Sequence, residues 1–173
     1  RATLSAAMRE ARSLMSELTP ALLQELGLVP ALRSLARKLQ EQRGEPIEIQ
    51  DDGQPEPADQ AVRGILYQAA RELILNALKH AGPCAITVSL AREDERFRIR
   101  VEDNGAGFAM PAHDPFVLQG AGGFGLFAIR ERLHGIGGVL EIETQPGRGT
   151  RAVLSVPLAP GGAGLVVPVG GDA

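Results

Sequence analysis

Two short stretches bring together polar side chains suited to binding or catalysis. In RELILNALKHAG (71–82), Glu72, Asn76, Lys79 and His80 stand at i, i+4, i+7 and i+8, so a helix would hold all four on one face. Leu73, Ala77 and Leu78 would fall largely on another. An asparagine oxygen can ligate Mg²⁺, a hard ion that prefers oxygen. A lysine can neutralise phosphate, and a carboxylate can polarise a water or a ligand proton. A solvated polar face is the plainer reading of the same pattern. In VEDNGAGF (101–108) an alternating apolar run ends in Asp103, Asn104 and two nearby glycines. Asn-Gly favours a type I′ hairpin turn, yet Ala109-Met110-Pro111-Ala112-His113 offers no strand to pair with. What survives is a carboxylate at a strand end, followed by backbone that a ligand can approach closely. Such a carboxylate can accept a hydrogen bond from an exocyclic amino group, for example that of adenine.

A second glycine-rich stretch, GAGGFG (120–125), matches G-x-G-x-x-G and precedes a helix, with Glu143 near the place of a ribose-binding acid. The strand this fingerprint requires could only be Phe116-Val117-Leu118-Gln119, hemmed in by Pro115. Too little chain follows Glu143 for the rest of a doubly wound sheet, so the dinucleotide reading fails on context.

The elements that must position these residues follow from periodicity. Leu4, Met8, Ala11, Met15 and Leu18 form a narrow heptad seam over a helix at 1–18, and Thr19-Pro20 breaks it. A second helix is expected over 21–42, ended by Gly44. A strand at 46–50, a long helix at 58–81 and alternating strands at 85–91 and 96–102 come next. A loop without periodicity runs from 108 to 122, longer than most loops in compact domains and suited to a lid. A helix at 124–134 and a hairpin of strands 139–144 and 150–158 complete the order, before a Gly/Pro-rich tail from 159. The expected fold is α/β (α+β), a two-layer sandwich with a mixed sheet of about five strands and helices on one face. The expected division is a helical lead-in at 1–43, a folded domain at 44–158 and a tail at 159–173.

Composition narrows the function classes. The 173 residues carry a net charge of −3 and only 3% aromatics, which argues against a DNA footprint and against stacking platforms for single strands. Residues 1–43 are net positive and the remainder negative, as a charged helix and an acidic domain would be. Cys84 is the single cysteine, so no internal disulfide forms, and a reducing compartment is expected. It reads as a small buried filler. No apolar run is long enough to span a membrane.

Taken together, the motifs resemble a known family. Glu72…Asn76…Lys79-His80-Ala81 is similar to the N box of the ATP-binding (Bergerat-type) domain shared by bacterial sensor histidine kinases, gyrase and mismatch-repair ATPases, and heat-shock chaperones. Asp103 to Phe108 resembles its first glycine box, Gly123-Phe124-Gly125-Leu126 its second, and Gly149-Thr150 its closing threonine segment. LTPALLQELGLVPALRSL is similar to the segment that joins the dimerisation hairpin to the kinase domain in sensor kinases that pair with NarL-type response regulators. The resemblance implies ATP and Mg²⁺ as ligands. Asp103 would bind the adenine amino group with Thr150 assisting, and Asn76 would hold the metal. Lys79 and His80 would face phosphates, Gly105, Gly107, Gly123 and Gly125 would frame the lid, and all of these, with Gly122 and Leu126, would belong to the nucleotide-binding set. Glu72 and Lys79 are the candidate catalytic residues. It also implies a homodimeric parent, which can be membrane-anchored, with this part in the cytoplasm. The phosphoryl acceptor would be a histidine on the dimerisation helix of its own or the partner protomer. None of His80, His113 and His134 suits that role, so this chain is expected to bind Mg-ATP without completing autophosphorylation alone. An anti-sigma-factor-type kinase of the same fold, and an interaction module with a vestigial site, are the alternatives.

Overall fold

The computed structural model describes residues 22–109 and 123–158. The expected helix at 1–18, all of the expected loop at 108–122 but its first two residues, and the tail from 159 lie outside the described residues. Among the described residues, a short helical stretch at 22–26 precedes three helices and five strands: α1 (Leu28–Arg43), β1 (Ile47–Asp51), α2 (Gln60–His80), β2 (Ile86–Glu93), β3 (Arg96–Asp103), α3 (Gly123–His134), β4 (Val139–Thr144) and β5 (Thr150–Pro157). The strands form one sheet in the order β1-β2-β3-β5-β4, with β1 parallel to β2 and every other pair antiparallel. This is the mixed five-stranded sheet that the alternating patterns predict.

Period-two alternation decides which face is covered. Val88, Leu90, Phe97, Ile99, Val101, Ala152, Leu154 and Val156 are buried on one face, where Leu66, Leu73, Ile74, Leu126 and Leu133 of the helices close over them. Leu28, Leu32, Ala36 and Leu39 of α1 join the same buried cluster. The intervening residues, among them Thr87, Ser89, Arg98, Arg100, Glu102 and Arg151, form the partly exposed opposite face. There Arg151 bridges Glu102 at 2.6 Å and Glu143 at 3.4 Å. No helix among the described residues is long and apolar enough to cross a membrane.

The helix expected over 21–42 is in fact interrupted. Residues 22–26 are helical, Gly27 leaves the helix at φ 92°, and α1 starts afresh at Leu28. The cause lies elsewhere in the chain. Both carboxylate oxygens of Glu56 accept from the Leu28 amide, at 3.0 and 2.8 Å, and Arg63 braces that carboxylate at 3.2 Å. The left-handed backbone favours glycine at 27, and a Cβ there would also displace the Glu56 carboxylate from the Leu28 amide. Asp59 caps α2 in the ordinary local way, accepting from Ala61 and Val62.

Candidate nucleotide site

Register places the functional groups before any side chain is considered. Asp103 pairs with Thr150, and Thr150 with Thr144, across the adjoining ends of β3, β5 and β4. One step into the sheet, Val101 pairs with Ala152 and Ala152 with Ile142. Both rows are on the face the helices cover, so a polar row borders an apolar one at the end of the core.

A cavity of about 440 Å³ opens above these rows, within the usual range for small-molecule sites. Val101, Ile142 and Ala152 form its floor, and Leu73, Ala77 and Leu126 its apolar walls. Asn76 and His80 face it from α2, Asp103 and Thr150 from the sheet, and Gly107 and Phe108 from the glycine segment. Of the sequence candidates, the structure brings Asn76, His80, Asp103, Gly107, Leu126 and Thr150 together around one space. Glu72 sits one turn further back, with its carboxylate against Gly125, where a Cβ would approach Oε1 to 2.6 Å. Lys79 is exposed and does not line the cavity. Gly123 opens α3, and Gly122 lies outside the described residues.

The segment after Asp103 is held on three sides. Asp103 Oδ1 accepts from the Gly105 amide at 2.9 Å, turning the chain back across its own carboxylate. The Asn104 side chain accepts from Ala85 at 2.8 Å, and Ala106 donates to the Ala81 carbonyl at 2.8 Å. Gly147 donates to the Ala106 carbonyl at 2.6 Å. Gly105 lies so tightly on Ala81, and Gly107 (φ 57°) on the Gln145 carbonyl, that a Cβ at either position would collide with backbone. These glycines let the strand end dock between α2 and the β4–β5 hairpin, which is a different job from making a hairpin turn.

Two features point to a polar ligand. Asn76 Nδ2 is buried and has no hydrogen-bond partner among the described residues. Such an atom costs free energy unless something arrives to satisfy it. Asp103, an acceptor-only group when ionised, stands at the edge of an otherwise apolar pocket. Cys84 is buried nearby, and that burial, with the negative charges of Asp103 and Glu45 adding to it, pushes its thiol above the ordinary value. The thiol therefore stays protonated and unreactive at neutral pH. Sequence reasoning missed the apolar floor, although the alternation of β3 and β5 marks Val101 and Ala152 as facing inwards. It also missed Thr144, whose hydroxyl accepts from the Phe108 amide at 3.1 Å and donates to the Gly149 carbonyl at 3.0 Å.

Comparison with known proteins follows the same outline. A family model described as histidine kinase-, DNA gyrase B- and HSP90-like ATPase matches residues 61–160. The sensor histidine kinase LiaS of Bacillus subtilis (strain 168) is 31% identical over 154 residues, covering 89% of this chain and 41% of that protein. The signal transduction histidine-protein kinase/phosphatase DegS of Brevibacillus brevis is 27% identical over 158 residues, covering 91% of this chain and 39% of its own. The chain thus spans about two fifths of the length of these relatives. Among solved structures, the histidine kinase domain of the Erythrobacter litoralis EL346 blue-light activated histidine kinase superposes with a TM-score of 0.62 at 23% identity. That match covers 76% of this chain and 61% of that one and shows the shared fold.

Proposed function

Because the chain belongs to the histidine kinase-, DNA gyrase B- and HSP90-like ATPase family, we propose that it is the ATP-binding catalytic part of a two-component sensor histidine kinase. In this reading the γ-phosphoryl group passes from ATP to an imidazole nitrogen on a dimerisation helix of the parent protein, and ADP leaves. The observation that carries it is the joint placement of Asp103, Thr150 and the unsatisfied Asn76 around one apolar cavity. Adenine fits the apolar end, its amino group donating to Asp103 with Thr150 beside it. In this reading Asn76, on the helix wall, would offer Oδ1 to a hydrated metal ion and its unsatisfied Nδ2 to a phosphate oxygen. When bound, Mg²⁺ would neutralise charge between phosphate oxygens. His80 lines the same cavity, and the first amides of α3 would offer their positive dipole end to an anion. Glu72 and the exposed Lys79 are assigned to the later step, polarising and steering the acceptor. The similarity to DegS and LiaS supports the kinase reading over the gyrase- or chaperone-like branches. We further assign a homodimeric parent, a NarL-type response regulator as the next acceptor, no nucleic-acid partner, and a cytoplasmic position for this part.

Calorimetric titration with Mg-ATP, alongside the Asp103→Ala variant, tests the reading. Saturable binding that the variant loses is the expected result. Equal binding by both proteins would remove the adenine assignment. Absence of binding by the unmodified chain would leave an interaction module with a vestigial site.

A further inference from the structure

We infer that Thr144, which does not line the cavity, sets the base preference of the nucleotide site by fixing the direction of the Thr150 hydroxyl. The inference rests on the adenine reading above and goes beyond it by naming what excludes a base that carries a carbonyl in place of the amino group.

The Thr144 hydroxyl has more neighbours than protons. A threonine oxygen offers one proton and two lone pairs. Thr144 Oγ1 lies 3.0 Å from the Gly149 carbonyl, 3.1 Å from the Phe108 amide nitrogen and 3.2 Å from Thr150 Oγ1. The amide can only donate, so it takes one lone pair. Gly149 is buried, and its carbonyl requires a donor, so the single Thr144 proton goes there. The remaining lone pair faces Thr150, which must therefore donate to Thr144. With its own proton committed, Thr150 presents only lone pairs to the cavity it lines. Asp103, its register partner, likewise presents only acceptors. Two acceptors side by side match the amino group of adenine and oppose the 6-carbonyl of hypoxanthine or guanine. Were Thr150 free to rotate, its hydroxyl could donate to that carbonyl and the opposition would relax. Thr144 is thus a positioning residue, acting on the ligand through Thr150.

The test is titration of the protein with Mg-ADP and Mg-IDP, whose bases differ at position 6, amino against carbonyl, and in the proton that hypoxanthine carries on N1. Thr144→Val keeps the shape and removes the hydroxyl. It should narrow the ratio of the two affinities about tenfold, roughly the loss of one well-made hydrogen bond. Thr144→Ser, which restores donor and acceptor, should return the ratio to that of the unmodified protein. An unchanged ratio in Thr144→Val would overturn the inference while leaving the adenine reading intact. Should Thr144→Val fail to fold, Thr150→Val removes the donor at the other end of the pair together with the acceptor it presents to the base, and an unchanged ratio there overturns the inference equally. Unmodified protein that binds neither nucleotide overturns both readings.

Discussion

The β4–β5 hairpin contains two glycines with nearly the same backbone and opposite surroundings, so one substitution serves as control for the other. Gly147 has φ 78° and open space where a Cβ would go. Gly149 has φ 72°, and a Cβ there would collide with the carbonyl oxygen of Asp103 and come within 3.0 Å of Asn104 Cα. Alanine in the left-handed region costs about 1–2 kcal/mol, offset by about 0.5 kcal/mol from the stiffer unfolded chain. Gly147→Ala should therefore lose about 1 kcal/mol, a fall of about 4 °C in Tm for a domain of this size, and keep its nucleotide affinity. Gly149→Ala carries the same backbone cost plus an overlap with backbone that no side-chain rotation can relieve. Overpacking of that kind adds about 1–3 kcal/mol, so the total is about 2–4 kcal/mol and the fall in Tm about 8–16 °C. The relief available is separation of β3 from β5 where Asp103 pairs with Thr150, and this moves the carboxylate. Mg-ATP affinity should then drop at least about tenfold, since a misplaced hydrogen-bonding pair forfeits about 1.4 kcal/mol. Differential scanning calorimetry and titration of both variants decide the matter. Equal losses of stability in the two, or full affinity in Gly149→Ala, would refute the claim that Gly149 holds the two strand ends at their spacing.

Other expectations follow from the same contacts. Glu56→Ala removes the carboxylate that accepts from Leu28 and should cost about 1 kcal/mol by urea denaturation, as loss of a helix cap does. Glu56→Gln keeps one acceptor oxygen and should cost less; a larger loss in Gln would point to the Arg63 pairing as the principal role. The Cys84 thiol has its pKa raised above 9.0 by burial first and by Asp103 and Glu45 second. Above that pH the unfolded chain gives up the thiol proton before the folded one does, so the folded state binds more protons and this contribution to stability falls as pH rises. Cys84→Ala should lack that decline, and parallel stability–pH curves for the two proteins above pH 9 would contradict the shift.

The covered face of the sheet and the long helix were legible because both rest on local, repeating signals. Ile86, Val88 and Leu90 alternate within one strand, and α2 runs from Gln60 to His80 against an expected 58–81. What escaped the sequence is what depends on residues far apart in the chain. The break at Gly27 is made by a carboxylate 28 positions downstream of Leu28, and no window along a helix contains that information. The role of Thr144 requires knowing that β5 lies between β3 and β4, because only that order puts Phe108, Gly149 and Thr150 within reach of one hydroxyl. The glycines show the same division. DNGAGF can be read as cleared backbone, yet what clears it is Ala81 from one side and Gln145 from the other. A glycine motif therefore states that something must come close, and the topology states what. At Gly105 and Gly107 the close neighbour is the protein's own backbone, so these residues act on a ligand by fixing where Asp103 ends.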